Sequence, residues 1–286
     1  MLRSLRLVLV ACLCFGVATN VNAQSASPEP PADAVANARE VYERAIDFAA
    51  QGKMREALGP AEEALVLFEK AFGPEHRELI DPNGLVSNMR RDTGDLRGAE
   101  APLLRALSIC EREFGEENAR TAIYMNNCGV LYRLLGMYGK ARPYYERALA
   151  VRERVLGPEN EDTGQSHTNL GILLKEVGEY SNAYAEMLRG AGITENKYGI
   201  ADPRTGVSAG VLASLATSQG NYAEAERLYQ KALEIHDKAL GPEHRTTLIS
   251  LNNLATHYLT TGAYDQARSL LERLLETRTR LFGPEH

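Results

Sequence analysis

The sequence has 286 residues, of which 44% are hydrophobic and 24% charged, and its formal net charge is −6 at pH 7. This composition excludes a disordered chain and a membrane-embedded one. The acidic balance argues against nucleic-acid binding, which uses basic surfaces to contact phosphates, and four cysteines are too few for a disulfide-stapled scaffold.

The first 23 residues have the pattern of a secretory signal peptide. Arg3 and Arg6 precede an apolar run at 7–18, and Val21 and Ala23 provide small residues before a cleavage point. The run has about 12 residues, whereas a membrane-spanning helix needs ~20. We therefore expect cleavage after Ala23, a secreted or periplasmic mature protein, and no membrane span after cleavage.

Two alternatives to this interpretation remain open. The segment could stay uncleaved as an N-terminal anchor. Residues 9–12 also match a lipoprotein cleavage box that ends at Cys12. Lipoprotein anchoring at Cys12 is less favoured, because it would leave the apolar residues 13–18 on the mature side. After the signal peptide, residues 24–34 form a Pro/Ser-rich linker without core-forming residues.

One period of 42 residues organises the sequence from residue 35 to residue 286. Three positions are identical in all six copies. They are Gly52, Gly94, Gly136, Gly178, Gly220 and Gly262; Ala57, Ala99, Ala141, Ala183, Ala225 and Ala267; and Gly73, Gly115, Gly157, Gly199, Gly241 and Gly283. A fixed period of this length is typical of helical repeat arrays.

Each period holds two helical segments separated by glycine. In the third copy, apolar residues recur at helical spacing over 119–135, Gly136 ends the first segment, and a second segment extends from Tyr138 to Leu156. Gly157 then provides a left-handed cap, and Pro158 prevents the helix from continuing. The second helices are predicted to begin near residues 53, 95, 138, 180, 222 and 264.

Several local features refine this prediction. The column Tyr138, Tyr180, Tyr222 and Tyr264 is assigned to the core. Asp81 and Pro82 are expected to cap and begin a shortened helix, and Gly190 and Gly192 to loosen the helix around Met187. Cys110 and Cys128 could form a disulfide, but buried thiols are favoured because Cys128 occupies a position that is mostly Leu in the other copies.

The repeat resembles the tetratricopeptide repeat, and its length is similar to that of the kinesin-light-chain subtype. The residues that carry the resemblance are Asn127, Cys128, Gly129, Gly136, Tyr138, Ala141, Tyr145, Ala148 and Leu149, the segment 251–255 and the linker 241–244. The resemblance implies an all-α fold, a right-handed superhelical solenoid of about six antiparallel helix pairs.

The resemblance also implies that the first helix of each pair lines a concave groove, in which an Asn holds the backbone of a bound peptide. The matching residues are Asn127, Asn169 and Asn253, with Asn126 and Asn252 beside them. A side-chain amide both donates and accepts, so it can pair with a peptide group. The same residues could instead only hold neighbouring helices together.

The positions around these Asn residues argue against a clamp for a terminal carboxylate. The resemblance implies that a family subclass with such a clamp places cations beside this Asn. Four residues before the Asn positions the sequence has Ile123, Gln165 and Ile249, and three residues after them it has Val130, Ile172 and Thr256. A mildly apolar groove for a helix or an extended segment fits the sequence better.

No pattern in the sequence indicates catalysis, a cofactor or a metal. The histidines His76, His244 and His286 follow the period, no Cys pair has zinc spacing, and no nucleophile elbow or phosphate-binding loop occurs. We therefore predict that the protein is not an enzyme and uses no cofactor.

The sequence ends on a linker that elsewhere introduces another helix pair. Leu271, Leu274 and Leu275 are therefore expected to have an uncovered side, which could support self-association. The resulting prediction is an exported protein-protein interaction scaffold that binds a protein or peptide partner. The alternatives are the recognition arm of a larger enzyme, such as a caspase-like CHAT peptidase, and a purely structural or self-association module.

Overall fold

The computed structural model describes residues 30–283, except the side chain of Phe282. The predicted signal peptide at 1–23 and most of the predicted linker lie outside the described residues. The first helix begins at Ala32, so residues 32–34, which we assigned to the linker, belong to this helix.

Within the described residues the chain forms twelve α-helices, one short 3-10 helix at Arg77–Leu79, and no strand. The helices are α1 Ala32–Ala50, α2 Met54–Phe72, α3 Ile80–Asp92, α4 Leu96–Phe114, α5 Ala119–Leu134, α6 Tyr138–Leu156, α7 Glu161–Glu176, α8 Tyr180–Tyr198, α9 Pro203–Ser218, α10 Tyr222–Leu240, α11 Arg245–Thr261 and α12 Tyr264–Phe282. Odd-numbered helices are the first and even-numbered helices the second members of their pairs. The predicted all-α fold of helix pairs is confirmed.

The turn inside each pair follows from a glycine that the period repeats. After α5, Gly136 has φ 72°, and the Met137 N–H donates to the Tyr132 carbonyl over 2.8 Å. The Gly136 N–H donates to Arg133 over 2.9 Å, which completes a Schellman motif. The backbone conformation of Gly157 is not the left-handed cap that we predicted. Its φ of 92° is combined with a ψ of 159°, which lies outside the left-handed helical region.

The described residues form two compact units, at 30–116 and 117–283. In the first unit, α1, α2 and α3 pack around Ala45, Ala61, Leu85, Val86 and Met89. In the second unit, the small-residue columns lie in close helix contacts, and Ala141, Ala148, Ala183 and Ala225 are fully buried. Cys110 of the first unit and Cys128 of the second are both buried, as predicted.

The prediction for the start of α3 is wrong in detail. The His76 imidazole accepts a hydrogen bond from the Glu78 N–H and caps the 3-10 helix, and α3 follows directly from Ile80. Asp81 therefore lies inside the helix and is not its cap. The shortening of this helix is confirmed, since α3 has 13 residues and α5 has 16.

The assignment of the Tyr column to the core is also wrong. Tyr180, Tyr222 and Tyr264 have exposed fractions of 40%, 46% and 65%, and Tyr138 is half-buried. Each is the first residue of its second helix. The first residue of a helix is covered from one side only. Its side chain can therefore recur at the same position in every copy and still be exposed.

Helix α8 is unbroken at Gly190 and Gly192, and its 19 residues match the length of α6 and α10. Gly190 allows α7 to approach closely, because a Cβ there would lie 2.6 Å from the Thr168 hydroxyl oxygen. In α12, Leu274 is buried against Leu248 and Leu251, contrary to our expectation, whereas Leu275 is 67% exposed.

Candidate functional site: an uncharged face on the first helices

Four first helices of the second unit present one continuous uncharged surface, which we call the first-helix face. It consists of Ile123, Asn127 and Val130 of α5; Gln165, Asn169 and Ile172 of α7; Val207, Val211 and Ser214 of α9; and Ile249, Asn253 and Thr256 of α11. All twelve side chains are exposed or half-buried, and none is charged, although 24% of the chain is charged.

Helical periodicity produces this arrangement. The three positions on each helix are separated by four and then three residues, so they form one stripe along the helix. Because the 42-residue period is unbroken, equivalent stripes recur on α5, α7, α9 and α11. The outermost column is mainly aliphatic, with Ile123 43%, Val207 50% and Ile249 48% exposed.

Side-chain hydrogen bonds between successive first helices hold the face together. Between α5 and α7, Asn169 Nδ2 donates to Asn126 Oδ1 over 2.9 Å, and the Arg133 guanidinium contacts Glu176 at 2.7 Å. Between α7 and α9, Lys175 Nζ donates to the Ser214 hydroxyl over 3.0 Å. These links fix the spacing of the stripes on α5, α7 and α9.

The structure places three of the five predicted site residues on the face. Asn127, Asn169 and Asn253 are half-buried members of its central column, where Val211 interrupts the series. Gln165 Nε2 donates to Asn169 Oδ1 over 3.2 Å. The Asn169 amide is therefore already engaged on both sides, by Gln165 and by Asn126.

The other two predicted site residues lie beside the face. Asn252 is exposed on the flank of α11. The prediction that Asn126 contacts a partner needs correction, because its side chain is only 6% exposed and its oxygen accepts the hydrogen bond from Asn169. Burial between helices removes the Asn126 side chain from direct contact with a partner, and its role is to join α5 to α7.

A buried histidine behind the face contacts side chains of two other helices. His167 of α7 is 3% exposed, and its Nδ1 lies 2.6 Å from Glu186 of α8. Its Nε2 lies 3.5 Å from Glu153 of α6. The hydrogen bond with His167 holds the pKa of the Glu186 carboxyl below its usual value. Sequence reasoning missed this cluster, because His167 and Glu186 do not recur with the period, although Glu153 does.

The face offers hydrogen bonding and apolar contact. Side-chain amides can pair with a peptide backbone, and Ile, Val and Thr side chains can contact apolar groups. Over residues 30–283, no three His, Cys, Asp or Glu side chains come together in a way that could hold a metal ion. No helix in that range is long and apolar enough to cross a membrane.

Comparison with protein families finds tetratricopeptide repeat profiles along most of the chain. One profile matches residues 82–154, 132–185 and 205–286, and a second matches residues 43–78. The curated proteins contain no match to this sequence.

Solved structures share the fold. The nearly identical TPR-like repeats of a putative kinesin light chain from Podosopora anserina match with a TM-score of 0.66 at 20% identity, over 73% of this chain and 99% of that one. BtubC from P. vanneervenii matches with a TM-score of 0.66 at 18% identity, over 88% of this chain and 92% of that one. A signal transduction ATPase from Pyrococcus horikoshii that has a tetratricopeptide repeat sensor matches with a TM-score of 0.67 at 16% identity, over 89% of this chain and 38% of that one.

Proposed function

Because this chain belongs to the tetratricopeptide repeat family, with repeats like those of kinesin light chains, we propose that it is a non-catalytic scaffold that binds a segment of another protein on the first-helix face. The observation that carries the proposal is the absence of charge from all twelve positions of that face. Exposed apolar surface on an otherwise charged protein marks interaction sites.

The chemistry of the face defines the segment it would bind. Ile123, Val207 and Ile249 offer aliphatic contacts, and the Asn127 and Asn253 amides can pair with backbone groups. No cation is among the twelve face residues, and the nearby Lys175 ammonium already donates to the Ser214 hydroxyl. Burying a partner carboxylate against the aliphatic column would therefore be costly. The partner segment is therefore an uncharged, mainly apolar peptide, either extended or helical.

A peptide-display selection tests this function. Peptides are selected on the purified protein and then measured against Val207→Glu and Ile249→Glu. Each substitution should weaken binding at least tenfold, which is about 1.4 kcal/mol, because a carboxylate would face apolar side chains. The matched control is Val155→Glu on the second helix α6, where Val155 is 45% exposed. Equal weakening by all three variants would contradict the proposal.

A second candidate is that the repeats form the recognition arm of a larger protein. It is favoured by the similarity to the Pyrococcus horikoshii protein, which has a tetratricopeptide repeat sensor and is matched over 38% of its chain. Reading the gene beyond the codon for His286, together with the intact mass of the product, distinguishes this candidate from a stand-alone scaffold.

We also propose that the protein is exported. The proposal rests on Arg3 and Arg6, the apolar run at 7–18 and the small residues before Gln24. N-terminal sequencing of secreted or envelope material should find Gln24 as the first residue. A product that retains Met1, or one that begins at a lipid-modified Cys12, would contradict cleavage after Ala23.

A further inference from the structure

One second helix differs from the other five at a position that packs between repeats. Leu65, Leu107, Leu149, Leu233 and Leu275 occupy this position in five copies, whereas the fourth copy has Ala191. The next residue, Gly192, also lacks a side chain. Three residues earlier, Leu188 is 51% exposed, whereas its equivalents in the copies on either side are Glu146 and Gln230. The second copy also has a leucine there, Leu104.

A cavity of about 160 Å³ that opens to solvent lies beside Ala191, between α8, α9 and α10. Its apolar lining includes Leu188, Ala191 and Gly192 of α8, Ala209 and Leu212 of α9, and Leu228 of α10. Ala209, Leu212 and Leu228 are buried, with exposed fractions of 4%, 4% and 5%. These apolar side chains are therefore held by the core, and Tyr184, Thr205 and Ser208 add polar groups to the lining.

Charged groups around the cavity are already paired with each other. Lys231 Nζ lies 3.0 Å from Glu195, and the Arg227 guanidinium lies 2.7 Å from Glu224. A charged ligand would have to break one of these pairs, whereas an uncharged apolar group would not. The cavity therefore favours an uncharged guest.

We propose that this cavity is a binding subsite for one leucine side chain of a partner protein. The five other repeats place their own leucine at the equivalent position, so leucine is the side chain that this position carries elsewhere in the chain. An enclosed cavity of about 150 Å³ in another protein binds benzene, and the cavity beside Ala191, which opens to solvent, has the volume for a group of that size.

The subsite is separate from the first-helix face, because none of the twelve face residues lines the cavity. The inference goes beyond the proposed function and can fail independently of it. A partner that used both surfaces would gain affinity through two linked contacts.

The test measures binding of N-acetyl-leucinamide, with N-acetyl-alaninamide as the reference probe, by NMR on the labelled protein. The leucine probe should shift the Ala191 and Leu212 methyl signals and the Gly192 amide signal. The expected dissociation constant is on the order of 1–10 mM, as befits a single small group. The alanine probe should bind at least fivefold more weakly.

Ala191→Leu provides the decisive variant, because it restores the residue that the other five copies carry. It should fill the cavity, abolish the response to the leucine probe and raise the thermal midpoint by about 2–4 °C. The matched control is Ala150→Leu, the same change at an exposed position of α6. It should leave the probe response unchanged.

Three results would overturn the subsite. They are equal responses to the two probes, a response that survives Ala191→Leu, and no saturable response up to about 100 mM, well above the expected constant. A lower thermal midpoint for Ala191→Leu would also overturn it, because the cavity would then not fit a leucine. None of these results bears on the display test of the first-helix face, so the two proposals fail separately.

Discussion

Asn169 Nδ2 donates a hydrogen bond to Asn126 Oδ1 over 2.9 Å, which joins the first helices of two successive repeats. Both residues were candidates for direct contact with a partner, and the pairing separates their roles. Asn126 is buried and acts between helices, whereas Asn169 is half-buried on the first-helix face. A peptide that binds at Asn169 must therefore share an amide that is already hydrogen-bonded.

The pairing predicts a measurable coupling between the two residues. Asn126→Ala and Asn169→Ala should each lower the free energy of unfolding by about 1 kcal/mol, since each leaves a polar partner unpaired. The double variant should lose less than the sum, with a coupling of about 0.5–1.5 kcal/mol. Denaturant unfolding of the four proteins measures it. Asn253→Ala serves as the control, and additive losses for Asn126 and Asn169 would contradict the pairing.

His257 predicts a pH-dependent weakness in the last repeat. It is 3% exposed, and neither ring nitrogen has a hydrogen-bond partner within the described part of the chain. Its equivalents in the three preceding repeats are Leu131, Leu173 and Leu215. Desolvation lowers the pKa of His257 below its ordinary value, and the nearby Glu226 carboxylate partly opposes this shift.

The direction of the pH effect follows from this lowered pKa. Below pH ~6.5 the unfolded chain binds a proton at His257 that the folded chain still excludes, so stability falls as the pH falls through that range. His257→Leu should raise the free energy of unfolding at pH 7 by about 1–3 kcal/mol. It should also flatten the stability profile between about pH 7 and 5. Urea unfolding at several pH values measures both effects, and an unchanged slope would contradict the role of His257.

Gly206 and Gly210, one turn apart on α9, predict opposite effects of the same substitution. A Cβ at Gly206 would lie 2.5 Å from His236 Nε2. His236 cannot move away, because its Nε2 donates to the Pro203 carbonyl over 2.9 Å and its Nδ1 accepts from the Ser250 hydroxyl over 2.7 Å. Gly206→Ala should therefore destabilise the protein by about 1–3 kcal/mol.

Gly210→Ala is the matched control for that variant. The nearest atom to a Cβ at Gly210 is the Ala232 Cβ at 3.9 Å, an ordinary contact. Alanine is the better helix former, so this variant should be more stable by about 0.5–1 kcal/mol. Thermal unfolding distinguishes the two variants, and a similar change in both would show that His236 does not enforce the close approach.

The period in the sequence was sufficient to predict the helix pairs, because the spacing of Gly136 and Ala141 reflects local backbone requirements that recur in every copy. It was not sufficient to predict burial. Tyr222 recurs with the period yet is 46% exposed, because its burial depends on which neighbour covers the helix end. Whether a side chain at a given position is covered is a tertiary property that one repeat does not encode.

The candidate site could likewise be predicted from the sequence only in part. Asn127 and Asn253, which the family resemblance assigned to a groove, are half-buried on the first-helix face, but the burial of Asn126 depends on how α7 packs against α5. The cavity beside Ala191 could not be predicted from the departure from the Leu column, because it also depends on how α9 and α10 pack beside α8. Both cases required the position of a neighbouring repeat.

The central claim is that the uncharged first-helix face binds a protein segment. Amide hydrogen exchange on the protein, with and without a display-selected peptide, tests it most directly. Bound peptide should slow exchange in α5, α7, α9 and α11 and leave α6 and α10 unchanged. Protection confined to the second helices, or peptide binding that Ile249→Glu does not weaken, would contradict the account.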